Sequence, residues 1–61
     1  MMNIRFDDFM NVLGYDFTSK VIKRENEIIV RVYMNCDVCT YYYFQNDKLV
    51  KVSVGNEDME R

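Results

Sequence analysis

The chain contains no histidine, proline, tryptophan or alanine, and only two glycines and two cysteines in 61 residues. Each absence removes a class of chemistry. Without histidine there is no side chain whose ordinary pKa suits general acid–base work near neutrality, and no serine or cysteine has a visible base beside it. The glycines, Gly14 and Gly55, are too far apart in sequence to form a phosphate-cradling loop. No run approaches the roughly 18 apolar residues of a membrane span, and no basic stretch followed by an apolar segment marks a secretory signal. A non-enzymatic, cytoplasmic protein without a cofactor is the expectation.

Charge of one sign is also scarce. Eight basic and ten acidic residues give a net charge of −2, and the last five residues alone hold three acids and one base. The body upstream is therefore neutral, so bulk charge does not favour a polyanion. Alanine and proline have GC-rich codons, whereas asparagine, lysine, isoleucine and tyrosine have AT-rich ones. The bias leans the source towards an AT-rich genome, such as a low-GC bacterium or its phage.

What is present is apolar and aromatic: 49% hydrophobic residues, including four tyrosines or phenylalanines in a row at Tyr41-Tyr42-Tyr43-Phe44. A chain this short buries only about 60% of the surface that its unfolded state exposes, so it needs a staple such as oligomerisation. Phe6, Phe9, Met10 and Leu13 recur at i, i+3, i+4 and i+7 and predict one helix, with Asp7 and Asp8 in its first turn and Gly14 closing it. Four strands follow at about 17–24, 27–36, 39–45 and 48–54, separated by Glu25-Asn26, Asp37-Val38 and Asn46-Asp47. The predicted fold is α+β, with one N-terminal helix packed on a four-stranded antiparallel meander (α-β-β-β-β). It forms a single domain over residues 1–56, followed by a short acidic tail at 57–61.

If each break is a two-residue turn, the three hairpin registers agree with one another. They place Phe17, Val21, Ile28, Val30, Val32, Met34, Tyr41, Tyr43, Val50, Val52 and Val54 beneath the helix. The opposite face then collects Ile22, Ile29, Tyr33, Tyr42, Phe44 and Leu49, with Lys20, Arg31 and Lys51 between them. A solvated sheet face normally reads as polar, and this one does not. Ile22, Ile29, Arg31, Tyr33, Tyr42, Phe44, Leu49 and Lys51 are thus the expected interaction face, since Tyr, Phe and Arg are enriched at interface centres.

The expected partners are a second copy, giving a homodimer, and a host protein target. The corresponding function is a small phage- or mobile-element-encoded inhibitor that blocks a host defence protein. The alternative is a nucleic-acid or nucleotide-binding protein that stacks bases on Tyr33, Tyr42 and Phe44 beside Lys20, Arg31 and Lys51. Cys36-Asp37-Val38-Cys39 offers half a zinc site, which only a dimer pooling two such pairs could complete. Otherwise both are small buried thiols flanking a turn.

Overall fold

In a computed structural model, which describes residues 4–14, 17–35 and 37–59, one helix precedes four strands. Helix α1 spans Phe6–Leu13, and strands β1 (Ser19–Lys23), β2 (Ile28–Asn35), β3 (Val38–Gln45) and β4 (Lys48–Asn56) follow. They form one antiparallel sheet in the order β1-β2-β3-β4. The α-β-β-β-β meander expected from the sequence is the observed architecture.

Helix α1 has its predicted stripe. Leu13 is buried, and Phe6, Phe9 and Met10 pack on the same cluster of sheet residues, Val30, Val32, Phe44 and Leu49. Phe9 sits 4.6 Å from the ring of Tyr42 and 5.3 Å from that of Phe44, and Phe6 meets Phe44 edge-on at 5.6 Å. Such aromatic contacts add to plain area burial, which an eight-residue helix needs because it is too short to stand alone. Gly14 ends the helix at φ 57°, a conformation that an L side chain rarely adopts, while its N–H bonds the Met10 carbonyl at 3.0 Å.

The start of the helix is held from a distance. Arg5 occupies the N-cap position without a side-chain cap bond. Its role passes to Asp47, whose Oδ1 accepts the Phe6 N–H at 3.1 Å across 41 residues of sequence. Asp47 and Asn46 both have positive φ, 62° and 52°, as the central pair of a two-residue hairpin turn of type I′ requires. The β3–β4 turn is therefore also the helix cap. Arg5 adds a long, exposed ion pair to Asp47 at 3.9 Å, which contributes little.

Two of the three hairpin registers differ from the sequence expectation. The β1–β2 pairing is as predicted, with Val21 opposite Val30 and Lys23 opposite Ile28, closed by Arg24–Glu27 backbone bonds. In β2–β3 the turn falls before Val38, and the register shifts between Tyr33 and Asn35. Val32 consequently faces Thr40 rather than Tyr43, and Cys39 faces Tyr33 rather than Cys36, which lies outside the described residues. In β3–β4 the turn is as predicted, but a bulge at Val50 makes Tyr43 oppose Lys51 and Tyr42 oppose Val52. Each odd slip exchanges the two faces of a strand. Both faces of β2 and β3 are apolar, so the hydrophobic pattern offered no penalty against the slip.

Replacing Asp47 with Ala removes the helix cap and should lower stability by about 1 kcal/mol, whereas Asn should retain most of it. Urea denaturation of the three proteins checks this, with equal midpoints for wild type and Ala refuting the distant cap.

Candidate interaction surface

Register and packing divide the eight residues expected on one face. Ile22, Ile29, Arg31, Tyr33 and Lys51 do share the face away from the helix. Tyr42, Phe44 and Leu49 lie on the opposite face, in the core beneath α1, where Phe44 is 1% exposed. Tyr41 and Tyr43 have moved the other way, into a second cluster with Ile29 and Cys39. The expected stacking platform of Tyr33, Tyr42 and Phe44 is thus split between two faces, and one of its rings is sealed.

The face away from the helix is not open either. Arg31, Tyr41, Ile29 and Cys39 are all buried there. The chain beyond β4, the start of the expected acidic tail, turns back towards this face as far as it is described, to Met59, with its side chains exposed. The Arg31 guanidinium donates from Nη1 to the Glu57 carbonyl at 2.9 Å and from Nη2 to the Tyr33 hydroxyl at 2.7 Å, and it lies 5.2 Å from the Tyr33 ring centroid. The Tyr41 hydroxyl donates to the Asn56 carbonyl, and the Met59 N–H bonds the same carbonyl at 3.2 Å. Gly55 makes room for this return, because a Cβ there would fall on the Met59 sulfur. Burial of Arg31 works against its charge, yet hydrogen bonding and electrostatic interaction with Tyr33 and Tyr41 prevail, and its pKa is raised. A buried cation held in this way is a structural tie between β2, β3 and the C-terminal segment. Lys51 extends the face, with Nζ 4.9 Å from the Tyr43 ring centroid.

Exposed apolar surface lies elsewhere, on the helix side of the sheet. The cross-strand rows Val30–Tyr42–Val52 and Val32–Thr40–Val54 run out from under α1 towards β4. Val52 is 45% exposed, Val54 67%, and Val38 at the start of β3 46%. These three valines form an uncovered corner of the sheet. Phe17, Met34 and Val50, all expected in the core, are also exposed. Met34 and Val50 stand at the two bulges, where an extra residue cannot follow the pleat.

Alternation in Val50-Lys51-Val52-Ser53-Val54 puts the valines on the packed face of a half-exposed strand, so the pattern alone does not announce this corner.

Other chemistry is sparsely provided. Cys39 is a buried free thiol, and Cys36 lies outside the described residues. Among the described residues no group of three or more potential ligands is placed to hold a metal, and no helix is long and apolar enough to cross a membrane. Two open depressions of about 440 and 390 Å³ flank the β3–β4 turn. The first is lined by Arg5, Asn46, Asp47 and Lys48, of which Asp47 is already engaged with the helix start.

Phe44→Asp should unfold the protein, because it places a carboxylate in the dry core, whereas Val54→Asp should leave the circular-dichroism spectrum nearly unchanged. The reverse pattern would show that α1 covers the Val54 end of this face and leaves Phe44 open. Tyr41→Phe should cost about 1 kcal/mol and speed hydrogen exchange at the Met59 amide by loosening the C-terminal return. Unchanged exchange would show that the Asn56 contact does not hold that segment. Comparison with known proteins finds no family model, no curated protein and no solved structure that matches this chain.

Proposed function

We propose that this chain is a non-enzymatic protein-binding module, and that it acts by occupying the surface of another protein with its uncovered valine corner. The observation that supports the reading most is the exposure of Val38, Val52 and Val54 together on one side of the sheet. A marginal domain gains by covering such surface, at roughly 25 cal/mol for each Å² of apolar area removed from water. A partner's apolar patch suits the corner better than a nucleic acid does. Base stacking needs exposed rings beside cations, and in this fold Phe44 is enclosed and the Arg31 guanidinium is engaged by Tyr33 and the Glu57 carbonyl. An inhibitor that blocks its target by occupancy needs no more machinery than this.

A photo-crosslinking residue at Val38, on an inner strand, tests the reading in cells of the source organism. The expected result is a discrete protein adduct that is absent when the same residue is placed at Asn11 on the outer side of α1. Equal labelling from both positions, or adducts with nucleic acid, would overturn it.

A further inference from the structure

Among the described residues the uncovered corner borders a strand edge that no further strand covers, and the two features fit one occupant. Strand β4 is nine residues long and lies at the edge of the sheet. The Leu49 N–H points away from β3 and is taken by the Ile4 carbonyl at 3.3 Å. In an antiparallel ladder, inward and outward backbone groups alternate. Phe44, Tyr42 and Thr40 of β3 therefore face residues of one kind, namely Leu49, Val52 and Val54. Val52 and Val54 thus direct their N–H and C=O groups outward, beyond the point where Ile4 closes the edge. An edge of this kind is a template for another strand.

The stretch 50–56 is self-complementary. Placed against itself in antiparallel sense it is centred on Ser53, which brings Val52 opposite Val54 of the second copy and Val54 opposite Val52. Those are the residues whose backbone groups face outward, so the ladder continues without a change of register. Charge follows the same symmetry. Lys48 and Lys51 mark one end of β4, and Glu57 and Asp58 follow the other, so antiparallel pairing sets the basic end of each strand beside the acidic end of its neighbour. A two-fold axis normal to the sheet keeps both helices on one side, and the two exposed valine corners then meet.

We infer that β4 pairs with β4 of a second copy about Ser53, giving a two-fold dimer with one continuous eight-stranded sheet. The inference deepens the protein-binding reading and rests on it for its functional meaning, since dimerisation joins two small corners into one larger apolar surface for a target.

Disulfide capture reads the register directly. In a Cys36→Ser background, Ser53→Cys should crosslink to itself under mild oxidation, because a residue on the axis meets its own copy. Val54→Cys alone should not, but mixed with Val52→Cys it should yield the hetero-adduct. Self-crosslinking of Val54→Cys in preference to Ser53→Cys would overturn the proposed centre. Val54→Pro removes an outward N–H that no other described residue takes up, and it should shift the protein from dimer to monomer in sedimentation at micromolar concentration with its circular-dichroism spectrum retained. A wild-type monomer under those conditions overturns the dimer. The adduct from Val38 would still be expected in that case, so loss of the dimer and loss of the protein-binding reading are told apart.

Discussion

An eight-residue helix is about 12 Å long, and a nine-residue strand is about 30 Å. Everything else in this fold follows from that mismatch. Helix α1 can cover one end of a four-stranded sheet, and it is fastened there at its start by Asp47 and Ile4 and along its length by Phe6, Phe9, Met10 and Leu13. Among the described residues no element covers the far end of the same face. Val38, Val52 and Val54 are exposed for a reason of geometry, even though their chemistry is that of a core.

The opposite face shows how the chain handles the same shortage without a second helix. Strand β3 sends Tyr41, Tyr43 and Cys39 there, and the residues after Asn56 close over the Arg31 end. Tyrosine suits this work, because its ring fills space while its hydroxyl reaches a carbonyl or a guanidinium at the rim. Arg31 is the centre of the arrangement. Its hydrogen bonds bring together β2 and the segment at Glu57, places that hydrophobic contact alone would join less specifically.

Element existence was legible in the chain, and facing was not. The helix stripe, Gly14 and the Asn46-Asp47 turn each have a local cause, so periodicity and turn chemistry located them. The faces of β3 depended on two bulges, at Met34 and Val50, which local chemistry does not announce. The three expected registers agree with one another, but each involves β2 or β3, and those two strands are apolar on both faces. A slipped register buries as many apolar groups as the true one. Position 47 eluded a sequence reading for a different reason: its carboxylate caps a helix 41 residues away, and capping rules look only at neighbours.

The corrected facing also changes how association can occur. With Tyr42 and Phe44 exposed on an open sheet face, two copies would stack face to face. In the actual fold, stacking on that face would displace Glu57 and Met59 and strip the Arg31 guanidinium of an acceptor, leaving a buried cation undersatisfied. Breaking such a tie costs several kcal/mol, more than a modest apolar contact returns. On the other side α1 holds the helix-covered half against a flat approach. What remains is lateral: the outward backbone groups of Val52 and Val54, and the valine side chains beside them. In the proposed dimer, burial of Arg31 on one face leaves contact to the edge of the sheet, where a short chain can extend itself without rebuilding its core.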